Sequence, residues 1–304
     1  MTSLAEIAHV TTQEGNVWRE CTGCGATAAM APEADRCDRC ATPQTSAKPA
    51  RRPRADAGQV RLTERDLAVF RWLSDMKAIY EDDLAALLAA MPGTAWSAAG
   101  RRPSASRVRN MVARWQRGGY AEVRRLANGI PRIVRLSRAG AAIVGVDGFR
   151  ETSSVTAMHQ CEVARLRLVL QGRPSPSLGT LTHWESERAF RSDLDALGLA
   201  RRGRTDRERV HVPDGVATYE RGTRVAIEVE RSVKAPVRLA RIVEELLTSY
   251  EVTLYAVANN EVRNAVAAAD RTARRNLTHR QVSNDRIGAL SIIDLPRDAA
   301  GGDR

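Results

Sequence analysis

The sequence predicts an α+β multidomain chain: a cysteine-tied ribbon, a helical part closed by a hairpin, and an α/β core. Three observations predict it. Two CxxC turns stand near the N-terminus, three amphipathic helical stretches then run into two alternating segments, and a second half follows in which strands alternate with helices. At 304 residues the chain exceeds the usual single-domain size, which agrees with a division into parts.

The first element rests on Cys21-Thr22-Gly23-Cys24 and, after a twelve-residue gap, Cys37-Asp38-Arg39-Cys40. Each turn aims two thiolates at one ion, so the spacing predicts a zinc ribbon over residues 1–45 with Zn²⁺ in a structural role. Iron or a redox pair are the competing uses of such turns. The spacing does not decide whether the segment contacts DNA or protein, or only ties together a stretch too small for its own core. No apolar run reaches membrane-spanning length, and the N-terminus lacks the basic-then-apolar layout of a signal peptide. A cytoplasmic chain with no membrane partner is expected, and reducing conditions there favour metal ligation over disulfides.

Residues 46–59, rich in Pro, Ala and Arg, read as a linker. Next, residues 60–150 predict a winged helix-turn-helix. Thr63 is placed to cap a first helix carrying Leu67, Val69, Phe70 and Leu73, and a second fits Glu81–Leu88. Ser104 or Ser106 starts a third, which turns Val108, Met111, Val112 and Trp115 to one face. Gly118-Gly119 ends it, and segments 120–126 and 130–136 flank Asn128-Gly129, a hairpin signal.

Charge points to the partner of this part. The net formal charge is +11, and residues 51–150 hold 19 Arg/Lys against 9 Asp/Glu, almost the whole excess. Either a phosphate-contacting surface or a merely solvated one accounts for this; its concentration on one predicted module favours the first. In a winged helix the third helix enters the major groove and the wing follows the backbone. Arg107, Arg109, Asn110, Arg114 and Arg117 are then the candidates on that helix, with Arg124, Arg125, Arg132 and Arg135 on the wing. Arg107, Arg109 and Asn110 match base edges, arginine to guanine and asparagine to adenine. The competing use of such a module is a protein-interaction platform.

Residues 151–298 predict the α/β core: a helix over 154–171, strands near 181–184, before Asp214 and over 224–230, a helix from Pro236 to Tyr250 and a strand over 252–257. Residues 288–294 suit a further strand, and 299–304 read as a disordered tail. Solenoid repeats and phosphate-binding glycine loops are both missing from the sequence, which argues against a P-loop NTPase.

Within the core, His211-Val-Pro213-Asp214-Gly215 is followed by Val225-Ala-Ile-Glu228-Val229-Glu230. Glu228 and Glu230 are two apart on a strand and so share a face. Singly, each acid has an ordinary use, Asp214-Gly215 as a turn and Glu230 as an ion-pair partner. Together, on adjacent strands, they have the form of a PD-(D/E)XK site, where Asp214 and Glu228 hold Mg²⁺ or Mn²⁺ and a lysine assists at the phosphate. Here Glu230 occupies the lysine's place. Lys234 is the candidate replacement, while Arg231 and Arg241 supply charge but not a proton. Glu162 is either a further ligand or a helix-surface charge, His159 reads as a helix-to-core hydrogen-bonding residue, and Cys161 as a small buried side chain.

Taken together, the basic winged helix, His159, Trp184-Glu185-Ser186-Glu187-Arg188, Pro213-Asp214-Gly215 and Glu228-Val229-Glu230-Arg231 resemble the replication-relaxation family over residues 60–260. That resemblance implies a restriction-endonuclease-like α/β core and a part in replication, relaxation or mobilisation of a plasmid or other mobile element. It also implies an acidic residue in place of the nuclease lysine. Double-stranded DNA is the expected partner, with replication or relaxase proteins and a second copy of the chain, as a homodimer, as further candidates. A nuclease or nickase using Asp214, Glu228, Glu230 and Lys234 is one expectation; a non-catalytic regulator or adaptor is the other.

Overall fold

The computed structural model describes residues 15–41, 60–146, 153–196 and 211–299, with two compact units, 1–58 and 59–304. The linker expected over 46–59 and the tail beyond Ala299 lie outside the described residues.

In the first unit, strands β1 (Val17–Glu20) and β2 (Thr27–Met30) pair antiparallel, with Val17 opposite Met30 and Glu20 opposite Thr27. Gly25, at φ +70°, turns the chain between them, a conformation a side chain would strain. A single helical turn, α1 (Asp38–Ala41), completes the ribbon.

The second unit begins with α2 (Glu64–Met76), opened by a capping box in which Thr63 and Asp66 satisfy each other's backbone N–H. Strand β3 (Ile79–Tyr80) and a 3-10 turn at Glu81–Asp83 lead to α3 (Leu84–Ala90) and the short α4 (Ala95–Ala98). Helix α5 (Ala105–Arg117) starts at Ser104, whose side chain accepts from the Arg107 N–H. It buries Val108, Met111, Val112 and Trp115, the four residues its periodicity assigns inward. Trp115 meets Phe70 edge-on, ring centroids 5.3 Å apart, in the core between α2, α3 and α5.

Strands β4 (Ala121–Arg124) and β5 (Ile133–Leu136) form the hairpin, and β3 adds to its far edge in the order β3-β5-β4. The hairpin strands are shorter than the alternation predicts. Helix α6 (Arg138–Ile143) follows. The strand β3 has only two residues and leaves no periodic trace in the sequence.

The α/β part opens with α7 (Ser154–Gly172), then β6 (Leu181–Ser186), α8 (Glu187–Ala196), β7 (Gly215–Tyr219) and β8 (Arg224–Glu230). After these come α9 (Pro236–Ser249), β9 (Val252–Val257), α10 (Asn260–His279) and β10 (Ala289–Asp294). The strands form one sheet in the order β10-β9-β8-β7-β6. Strands β8, β9 and β10 are parallel; β7 runs antiparallel to both β8 and β6. Alternate residues of β8 face opposite ways: Val225, Ile227 and Val229 pack with α7, whereas Ala226 packs with α9 and α10. Asp214 precedes β7 rather than ending a strand.

Residues 59–304 pack as one unit because α7 serves both parts. Its Ala157 and Cys161 lie with Tyr80 and Ile133, while Val163 and Leu166 lie with the sheet. Arg165 stacks on the Tyr80 ring, its centroid 4.6 Å away, and donates to Asp83 at 2.8 Å and to the Arg297 carbonyl at 2.6 Å. The Ala299 N–H donates to Asp83 at 3.2 Å, so the chain returns across the helical part. Ala299 is therefore buried, where the sequence suggested the start of a tail.

Candidate metal centre, basic helix face and carboxylate site

In the ribbon, Cys21 follows β1, Cys24 lies in the turn before β2, and Cys37 and Cys40 bracket the start of α1. Their sulfurs all lie within 4.8 Å of one another, and Cys24 and Cys37 are 3.9 Å apart. Zinc–thiolate bonds of about 2.3 Å in a tetrahedron put sulfurs about 3.8 Å apart, so the cluster fits a structural zinc. The Cys37 N–H donates to the Cys21 sulfur at 3.2 Å and the Gly23 N–H at 3.3 Å. The Cys37 N–H is the chief cause that holds the Cys21 thiol down to about 6, whereas thiol contacts with Cys24, Cys37 and Cys21 push Cys40 up to about 12. Successive thiolates resist ionisation, and a divalent cation removes that resistance.

On α5, Arg107, Arg109, Asn110 and Arg117 are exposed, and the helix carries no acidic residue. Arg124 and Arg125 are exposed at the end of β4, with Arg124 3.7 Å from Glu122. The other expected contacts are used inside the fold. Arg114 reaches 2.6 Å from the buried Asp66, which also accepts from Trp115 Nε1 at 3.0 Å. Arg132 makes a two-pronged pair with the buried Glu81, at 2.9 and 2.6 Å. Arg135 is itself buried, paired with Glu122 at 2.6 Å. A period alone cannot show that these guanidiniums meet acids far along the chain. Arg114, Arg132 and Arg135, three of the expected DNA contacts, thus each pair with an acid of the fold.

The core acids come together where β7 begins and β8 ends. Gly215 has no side chain, and a Cβ there would stand 2.3 Å from the Trp184 ring; the close approach fixes the chain just after Asp214. Asp214 Oδ1 lies 2.9 Å from His159 Nε2, and Oδ2 accepts from the Val229 N–H at 2.8 Å. Glu228 lies 2.8 Å from His211 Nε2, and the Glu245 carboxylate accepts from the His211 N–H, also at 2.8 Å. Glu230 meets the Lys234 ammonium at 2.5 Å. Glu162 meets Arg231 at 3.1 Å.

Electrostatics follow from these pairings. Burial works to lower His159 and His211, but their carboxylate partners outweigh it and raise both. Burial, reinforced by the Asp214 charge, pushes Glu228 up, so the His211–Glu228 pair holds tightly to a proton. Glu162 is likewise raised by burial, with Arg231 opposing. The hydroxyl of the buried Tyr255, opposite Glu228 on β9, has no hydrogen-bond partner; burial and the charges of Glu228, Glu230 and Asp214 raise it.

The donor chemistry is oxygen-rich, as Mg²⁺ or Mn²⁺ requires, but the geometry does not gather it. Among the described residues the four cysteines are the only group of three or more such side chains with converging donor atoms. Asp214, Glu228 and Glu230 are engaged instead by His159, Val229, His211 and Lys234.

Sequence reasoning singled out Asp214, Glu228, Glu230 and Lys234; Glu230 pairs with Lys234 and Asp214 accepts from the Val229 N–H, but the carboxylate donors do not converge on one point. It gave His159 a helix-to-core hydrogen bond, assigned no role to His211, and missed Lys77 and Glu187. These last two line or flank a cleft with Met76, His159, Ser186 and Asp214, between the end of α2, α7 and the start of α8. Their signal is weak because the partners lie far apart in sequence: 55 residues separate His159 from Asp214, and 110 separate Lys77 from Glu187. Among the described residues no helix is long and apolar enough to cross a membrane. The chain matches no protein-family model, no curated protein and no solved structure.

Proposed function

We propose that this chain is a DNA-binding protein that grips duplex DNA with a winged helix and carries a PD-(D/E)XK-like site in its α/β core. The observation that carries the reading is the placement of Asp214 at the start of β7, bonded to the Val229 N–H, beside the end of β8 that bears Glu228 and the Lys234-paired Glu230, in a sheet with an antiparallel β6-β7-β8 run and parallel β9. The order helix, strand, three helices, antiparallel hairpin, with β3 on the hairpin edge, supports the winged helix. Exposed Arg107, Arg109, Asn110 and Arg117 on α5 support DNA as its ligand. With the family resemblance, this gives a role in replication, relaxation or mobilisation of a mobile element, with nicking of DNA as the reaction. A divalent ion held by Asp214 and Glu228 would supply an activated water there, and it would have to displace His159 and His211.

One observation favours a second reading, a non-catalytic regulator or adaptor with a nuclease-like scaffold. Each core acid already has an imidazole, ammonium or backbone N–H partner, so the cluster is satisfied without a metal. Duplex titration tests the DNA-binding part of both readings. Arg107→Ala with Arg109→Ala should weaken binding and relax base preference by about 1–3 kcal/mol per lost contact, and Arg117→Ala should lower the slope of log K against log salt by about 1. An unchanged affinity and slope would remove α5 as the DNA-contacting helix. Metal-dependent nicking separates the two readings.

A further inference from the structure

Lysine is rare in this chain: among 47 basic residues only Lys48, Lys77 and Lys234 are lysine. Two of these three stand beside the carboxylate site. Lys234 pairs with Glu230 from the loop before α9, and Lys77, at the end of α2, lines a cleft with Asp214. In a chain that otherwise uses arginine, the compact ammonium is kept at two places around one cluster of acids. A lysine ammonium on its flexible stem can meet a phosphate as a point charge.

The backbone adds an independent sign. Lys77 closes α2 at φ +68°, a position where glycine is the unstrained choice, yet a long side chain is retained. Three contacts fix this corner. Arg188 donates to the Ser74 carbonyl at 2.8 Å, Arg167 to Asp75 at 3.1 Å, and Ser186 also donates to Asp75. The ammonium stands 3.4 Å from Glu187, and that same carboxylate takes Arg191 at 2.8 Å. Lys77 and Arg191 share Glu187, at a cleft that also holds Arg188, Asp75 and Asp214. Lys77, His159 and Asp214 line one cleft.

We propose that Lys77 is a nucleic-acid phosphate contact of the carboxylate site: the winged-helix part supplies, from the end of α2, a cation facing Asp214 across the cleft. This rests on the DNA-binding reading above and adds a residue from outside the PD-(D/E)XK motif.

The scarcity of lysine makes the test clean. Full-length protein is acetylated with and without a short duplex, and modification of Lys77 and Lys234 is followed by mass spectrometry, while fluorescence anisotropy reports duplex binding. The proposal expects bound duplex to slow acetylation of Lys77 several-fold. It also expects Lys77→Ala to lower the salt slope of binding by about 1, with Lys77→Arg recovering most of the affinity. Bound duplex with Lys77 acetylated at its free rate overturns the proposal and leaves the DNA-binding reading standing. No duplex binding at all overturns that reading, and the proposal with it. The footprint uses the unaltered protein, so it decides the question even if Lys77→Ala fails to fold.

Discussion

His159 on α7 and Asp214 at the start of β7 are joined by a 2.9 Å hydrogen bond, which ties the helix shared by both parts of the second unit to the acidic end of the sheet. The His211–Glu228 bond repeats the arrangement on the α9 side. Both imidazoles have folded-state pKa values above the ordinary histidine value of 6.5. Their contribution to stability is therefore complete below about pH 6.5 and lost as pH rises through the folded values. The raised Glu228 acts with the same sign. The lowered carboxylates Asp66 and Glu187 lose their contribution only as pH falls through values below the usual carboxylate range. Melting temperature should fall from pH 6 to pH 8, and the His159→Gln, His211→Gln double variant should flatten that fall. An unaltered slope in the double variant would mean that these pairs do not carry the linkage.

Asp66 anchors α2 to α5 through Arg114 and Trp115. Burial alone would raise its pKa, but the N–H and hydroxyl of Thr63, the Trp115 indole and the Arg114 charge together lower it. Asp66→Ala leaves Trp115 Nε1 without its acceptor and Arg114 without its partner. Removing one side of such a buried pair costs about 3 kcal/mol. Urea unfolding should show that loss, with Arg114→Ala moving the midpoint in the same direction. If Arg114→Ala instead leaves stability intact and weakens only DNA binding, its assignment to the fold is wrong.

The ribbon predicts bound metal. Purified protein should carry zinc measurable by atomic emission, and Cys21→Ser or Cys40→Ser should release it, since four thiolates complete a tetrahedral site. Cys161 is buried on α7 away from the ribbon's sequence, so Cys161→Ala should leave the zinc content unchanged. Full zinc retention in both ribbon variants would contradict the assignment.

Local chemistry made much of this fold legible. The capping box at Thr63, the apolar face of α5, Pro236 at the start of α9 and the alternating runs of β8 and β9 each leave a pattern within a dozen residues. Helix α10 was missed because its buried face is Val262, Val266, Ala269, Ala273 and Leu277, where alanines blunt the hydrophobic signal. In the site, the acids two apart on β8 were legible, and Lys234, four residues past Glu230, was within reach of the same reasoning. Contacts that the fold makes across long stretches of chain were not: Arg114 with Asp66, His159 with Asp214, and Lys77 with Glu187. That is why the acid partners of Arg114, Arg132 and Arg135 were not foreseen, and why a helix-end lysine emerged as a candidate contact.

The most direct measurement is incubation of the full-length protein with supercoiled plasmid in Mg²⁺ or Mn²⁺, beside Asp214→Ala and Glu228→Ala. The proposed nicking activity predicts open-circular product from the unaltered protein, none with chelator, and loss in both variants while duplex binding persists. Duplex binding with no metal-dependent nicking, or nicking that survives in both variants, would contradict a working site at these carboxylates; the first result would favour the scaffold reading.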